Sequence, residues 1–208
     1  MTEPEVLRKH PLARYGPYIG IAGSAVFLLL WLASATIAGS DWEVGRNTLS
    51  ELGGMDTLAA PLFNFACVFA GICMFLFGFG VWMRVPEVRR ATSFVRIAGL
   101  GLVLVGIFNI NTGLAHDLST ILFFMMITFG VGLTSYFLIK NWMMLPTAIV
   151  GLAGICVSFL SFGLTTFEMV EAIAVVCINV WGFTMAVEMI LGRDSAPADA
   201  EENPFKLF

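Results

Sequence analysis

Residues 58–83 read LAAPLFNFACVFAGICMFLFGFGVWM, without a single charged side chain. A helix needs about 20 residues to cross about 30 Å of hydrocarbon, so this run is long enough to span a bilayer. Five more apolar runs flank it, at 17–39, 95–112, 118–139, 142–164 and 168–191. The run at 95–112 is the shortest and ends in polar residues, Asn109 and Asn111. The turns after the fourth and fifth runs are very short, which makes the joined helices antiparallel neighbours. The pattern predicts an all-α integral membrane protein, a six-transmembrane-helix bundle forming a single domain over 1–208. Its end, 193–208, reads as a short acidic cytoplasmic tail.

Composition agrees. The 208-residue chain is 58% hydrophobic and 12% charged, with a mean hydropathy of +0.88. Soluble domains are about 45–50% apolar and about 25% charged. The net charge of −4 says little, because much of it lies in the tail stretch ADAEENPF. No basic face is present, which argues against nucleic acid as a partner. The first run exceeds the apolar core of about 7–15 residues in a cleaved signal peptide. Cys67, Cys73, Cys156 and Cys177 all fall within apolar runs, where they read as small packing residues. No Walker loop, dinucleotide-binding glycine pattern, Cys-x-x-Cys or haem motif occurs, so ATP hydrolysis, nicotinamide chemistry and thiol redox work are not expected, nor is a cofactor.

Lys and Arg near the span ends set orientation. Arg8, Lys9 and Arg14 precede the first span; Arg84, Arg89, Arg90 and Arg96 surround the second loop; Lys140 and Arg193 follow the fourth and sixth spans. The opposite side holds only Arg46. Both termini are therefore expected in the cytoplasm and the chain in the cell membrane. Tyr15, Tyr18, Trp82, Tyr136 and Trp142 then form an aromatic belt at the inner interface.

The second span contains AGICMFLFGFG from Ala70 and the fifth AGICVSFLSFG from Ala153, identical at six of eleven positions. Three spans apart, the two segments run in opposite directions, the pattern of a 3+3 inverted repeat. Coincidence among Ala, Gly, Phe and Ile is the simpler explanation. Gly71, Gly78, Gly99, Gly106, Gly130 and Gly154 read as points of close helix approach.

The outer end gathers the unusual polar groups. The first outer loop includes Arg46–Asp56, RNTLSELGGMD. Asn47 is positioned to cap a short interfacial helix with Leu49 and Leu52 toward the bilayer, and Gly53 to end it in a left-handed conformation. That account leaves Arg46, Ser50 and Glu51 unexplained. In LAHDLST, Asp117 or Ser119 can cap the fourth span; in TTFE, Thr165 and Glu168 fit a capping box. Asp56 or Thr57 can cap the second span. Glu171 lies one turn inside the sixth span, where capping no longer needs it and burial is expensive. It calls for a partner such as Arg46 or His116. Glu188, near the inner end, is expected to reach the interface or pair with a basic neighbour.

The order of an N-terminal span, the stretch NTLSELG (Asn47–Gly53), a span opening LFN (Leu62–Asn64) and a later His-containing turn resembles the uncharacterised prokaryotic family catalogued as domain of unknown function 998. That family consists of small six-helix membrane proteins distantly similar to the Frag/DRAM/Sfk group. The resemblance covers about residues 15–192. It implies the six-helix fold and no catalytic role.

Three functions fit these residues. A binder or transporter of a lipid-like or small amphiphilic ligand would hold its head with Arg46, Asn47, Glu51, Asn111, Asp117 and Glu171, while Asn64, Asn109 and Asn179 extend a polar track inward. A structural or accessory subunit, with a protein partner or as a homo-oligomer, would use the same groups as an ion-pair and capping network. An outer-leaflet lipid hydrolase or transferase would use Ser50 as nucleophile and His116 as base. Membrane lipids are partners in all three. No metal site is expected, because one available histidine does not make a zinc centre; an oxygen-rich site for a harder cation stays open.

Overall fold

The computed structural model describes residues 10–194. The expected basic residues Arg8 and Lys9, and the acidic tail beyond Asp194, lie outside the described residues. Among the described residues there are six apolar α-helices and one short one: α1 (Pro11–Ala38), α2 (Leu49–Leu52), α3 (Ala59–Arg84), α4 (Ala91–Ile107), α5 (Leu114–Leu138), α6 (Leu145–Ser161) and α7 (Phe167–Ile190). Five are long and apolar enough to cross a membrane, α6 together with its leading turn. The sixth, α4, has 17 residues, about 26 Å at 1.5 Å per residue. This is an all-α, multi-pass membrane bundle, with no strand among the described residues.

The helix ends differ from expectation where local caps intervene. Helix α1 begins at Pro11 rather than Pro17. Proline at the first helical position gives up no needed N–H and arrives with its φ preset. Pro17 then sits inside the helix, where it leaves the Ala13 carbonyl without its usual partner. The Arg84 Nη1 donates to that oxygen at 3.4 Å. Helix α4 ends at Ile107, not 112. Asn109 caps the following turn by accepting the Asn111 N–H at 3.2 Å, which draws residues 110–112 into a 3-10 turn. Helix α6 likewise starts at Leu145, after a 3-10 turn at Trp142–Met144 that Asn141 caps.

Each long helix packs against the next in sequence, and α7 returns to α1, closing a ring. Glycines set how closely neighbours approach. A Cβ on Gly71 would lie 2.6 Å from the Gly99 carbonyl oxygen, and one on Gly99 2.7 Å from that of Gly71. Helices α3 and α4 therefore meet backbone to backbone. Gly154, the counterpart of Gly71 in the second AGIC segment, also faces the next helix, with its Cβ position 3.1 Å from that of Cys177. Packing is tight from α1 through α5 and looser around α6. All four cysteines are free, two of them buried.

The end of the bundle where α1 begins and α7 finishes is tied by charge. The Arg84 guanidinium, 7% exposed, makes a two-pronged pair with Asp194 at 2.6 Å and donates to the Met189 carbonyl at 2.6 Å. Glu188 is buried, accepts from the Thr147 hydroxyl on α6, and lies 3.6 Å from Arg193, the basic neighbour anticipated for it. Tyr15, Tyr18, Trp82, Tyr136 and Trp142 are all exposed.

Candidate functional site

The first outer loop is a closed strap rather than a connector. The Trp42 indole N–H donates to the Thr48 carbonyl at 2.8 Å. Thr48, not Asn47, caps α2: its hydroxyl accepts the Glu51 N–H, and the Glu51 carboxylate accepts the Thr48 N–H. The sequence Thr48-Leu-Ser-Glu51 is itself a capping box, a signal present in the chain beside the asparagine. Asn47 instead braces the box, donating to Glu51 at 2.6 Å and accepting the Glu43 N–H at 3.1 Å. Burial raises the Glu51 pKa, but the bonds from Asn47 and Thr48 outweigh it and hold the carboxyl below its ordinary value.

Leu49 and Leu52 do not face the bilayer. They are 2% and 0% exposed and belong to the core, because the strap lies across the bundle end and turns this face inward. Gly53 ends α2 with φ −73°, an ordinary right-handed conformation. Glycine is needed there for closeness: a Cβ on Gly53 would strike the Asn64 side chain, and one on Gly54 would strike Ile110. Asn64 donates to the Gly53 carbonyl at 3.0 Å and Asn111 to the Gly54 carbonyl at 2.9 Å. Thr166, rather than Thr165, caps α7, and its hydroxyl donates to the Gly45 carbonyl at 2.7 Å.

Glu171 is the strap's main anchor. Its Oε2 accepts the Leu49 N–H at 2.9 Å and its Oε1 accepts the Ser50 hydroxyl at 3.4 Å. Its partner is thus the strap's own backbone and hydroxyl, neither Arg46 nor His116. Arg46 is exposed and lies 3.7 Å from Glu43.

His116 is 5% exposed. Its Nδ1 lies 2.7 Å from the Phe108 carbonyl oxygen, which can only accept, so Nδ1 carries the proton. The ring satisfies the frayed end of α4 and leaves the Nε2 lone pair facing Thr120 Oγ1 at 3.3 Å. Neither Asp117 nor Ser119 caps α5. That helix starts at Leu114 after Gly113 (φ 60°), which puts Asp117 in its first turn, exposed, and lets Ser119 bond back to Ala115. Thr57 accepts the Ala59 N–H at the start of α3.

Where α5, α6 and α7 pull apart, a cavity of about 820 Å³ opens beneath the strap. Its polar end presents Thr48, Ser50, His116, Asp117, Thr120 and Glu171; below them the lining is mainly apolar, including Phe124, Phe129, Phe159 and Phe162, with Thr128 and Ser158 among them. Two voids of about 70 and 50 Å³ are far smaller, and the second adjoins the cavity at Phe124, Thr128, Ser158, Phe159 and Ala174. Four expected site residues, Ser50, His116, Asp117 and Glu171, therefore meet at one cavity. Arg46, Asn47, Glu51 and Asn111 do not line it; the last three hold the strap in place. Asn179 bonds to the Val175 carbonyl of its own helix rather than extending a track, and Asn64 and Asn109 are likewise bonded to backbone. Ser50 and His116 share no hydrogen bond among the described residues. Nor do three His, Cys, Asp or Glu side chains converge on a point that could hold a metal ion there. Sequence reasoning named the polar residues but had no signal for the cavity, which depends on the spacing of three helices.

The profile of a family described as "Protein of unknown function (DUF998)" matches residues 21–188. The match covers most of the chain, and the protein belongs to that family. No curated protein and no solved structure matches, so nothing in these comparisons extends to the Frag/DRAM/Sfk group.

Proposed function

We propose that this member of the family binds or moves a lipid-like amphiphile, with the head under the strap and the chain between α5, α6 and α7. The observation that carries the reading is the cavity of about 820 Å³, within the range of about 300–1,000 Å³ usual for small-molecule sites. Its ionisable groups, His116, Asp117 and Glu171, are confined to one end, as an amphiphile requires. The protein would lie in the cell membrane with six spans, α4 included, and both termini in the cytoplasm. The Lys and Arg bias supports that orientation. Cysteines placed at Arg46 and Lys140 in a cysteine-free background would check it: an impermeant maleimide on intact cells should label the first and spare the second.

The binding reading is tested by native mass spectrometry with lipid extraction on wild type and on Ser50→Ala and His116→Ala. A specific co-purifying amphiphile, lost in the variants, supports it. If no specific ligand appears and the variants are merely less stable, the strap and Glu171 form a structural network and the protein is better read as an accessory subunit.

A hydrolase or transferase is the second reading. It draws on the fixed tautomer of His116, which leaves Nε2 as a base toward the cavity. Ser50 would have to turn from Glu171 to reach it. Retention of an uncleaved amphiphile by Ser50→Ala would favour this reading over simple binding.

A further inference from the structure

Resting on the amphiphile reading above, we infer that the cavity selects an amphiphile whose head is an ammonium group, and rejects anionic heads. The polar end of the cavity has almost no hydrogen to give. The Ser50 hydroxyl is donated to Glu171. Thr48 donates to Glu51. With the His116 proton fixed on Nδ1, Nε2 is an acceptor and takes the Thr120 hydroxyl. Ser158, deeper in, bonds back to the Gly154 carbonyl. What these groups leave facing the cavity is lone pairs: the carboxylates of Glu171 and Asp117 and the oxygens of Ser50 and Thr120.

Charge points the same way. The lining holds two carboxylates and no Lys or Arg. Arg46, the only Lys or Arg among the described residues at this end of the bundle, lies outside the cavity beside Glu43. A phosphate or carboxylate head would meet like charge and spent donors there, with no cation in the lining to pair it. A primary ammonium brings three donors and one positive charge, matching the acceptors around it. A hydroxyl head brings one donor and no charge, so it should bind more weakly. The aromatic lining below, Phe124 and Phe159 among it, suits the chain and gives further favourable surface to a cation at its upper edge.

The experiment offers the full-length protein, in a non-ionic detergent, an equimolar mixture of hexadecylamine, hexadecanol and hexadecanoic acid. Native mass spectrometry then reads the population of each adduct. The amine adduct should exceed the acid adduct at least tenfold, with the alcohol between them. Asp117→Asn should reduce the amine preference several-fold while leaving the alcohol unchanged. That side chain is exposed and anchors nothing in the strap, so its effect is separable from folding. Glu171→Gln should reduce the amine preference more strongly still, and because it also loosens the strap it should weaken all three adducts. Ala174→Trp, which fills the cavity, should abolish all three adducts. Acid binding equal to amine binding, or no loss of preference in either carboxylate variant, overturns the ammonium assignment alone. No adduct with any of the three, or adducts indifferent to Ala174→Trp, overturns the binding reading itself.

Discussion

Glu171 serves two surfaces at once. One side of its carboxylate holds the Leu49 N–H and the Ser50 hydroxyl; the other lines the cavity. In Glu171→Ala both donors lose a charged acceptor, a change worth about 1.5–3 kcal/mol for such bonds. Thermal or denaturant unfolding of the purified protein in detergent should show this loss. Glu171→Gln keeps one acceptor oxygen and should lose less. Arg46→Ala, exposed and beside Glu43 alone, should leave unfolding unchanged. An Arg46 variant as destabilised as Glu171→Ala would mean that the arginine, not the strap backbone, is the carboxylate's partner. The sequence made Arg46 the natural suspect because it is the only cation on that side, and net charge gives no warning that two uncharged donors will do.

At the scale of elements, the strap is held by a four-residue helix too short to persist alone. Its capping box, its buried leucines and the contact with Glu171 therefore act together. The box carries a pH dependence. Hydrogen bonds keep the Glu51 carboxyl below its ordinary value, so the folded strap favours the ionised form. Its contribution is full above about pH 4.3, the ordinary glutamate value, and is lost as pH falls through the lower folded-state value. Amide hydrogen exchange at Thr48 and Glu51 should therefore accelerate, beyond the intrinsic chemical trend, as pH drops below about 4. In Glu51→Gln the exchange should be faster at neutral pH and lose that extra dependence. Much of this level was legible in the chain. The six apolar runs fall on six apolar helices, five of them long enough to span and α4 shorter, because apolar length alone specifies a span. The caps were misplaced by one residue at Asn47/Thr48 and at Thr165/Thr166, since adjacent polar residues compete for the same N–H groups and packing chooses between them. The inward turn of Leu49 and Leu52 was not legible, because a pair of leucines looks the same whether it meets lipid or core.

Across the whole molecule, the ring is fastened at the end that carries Arg84 and left open between α5, α6 and α7. Three long helices meet at Arg84. From the end of α3 it reaches the Ala13 carbonyl that Pro17 leaves free in α1, the Met189 carbonyl of α7 and the Asp194 carboxylate. No pattern in the sequence links Arg84 to Asp194, 110 residues away; only closure of the ring brings them together. The Asp194 side chain is 2% exposed, so removing its partner strands a charge away from water. Loss of one member of such a buried pair costs about 3–5 kcal/mol, and Arg84→Ala should be destabilised by that order in an unfolding titration. Arg84→Lys keeps the charge but cannot make the two-pronged contact and reach both carbonyls, so it should fall between wild type and alanine. The double variant Arg84→Ala/Asp194→Ala separates the two causes. If the loss comes mainly from the stranded carboxylate, the double variant should recover a large part of it. If it comes from the freed carbonyls of Ala13 and Met189, the double variant should be no more stable than Arg84→Ala. The cavity beneath the strap lies at the other end of the bundle, so the ligand preference proposed for it should survive in any of these variants that still folds.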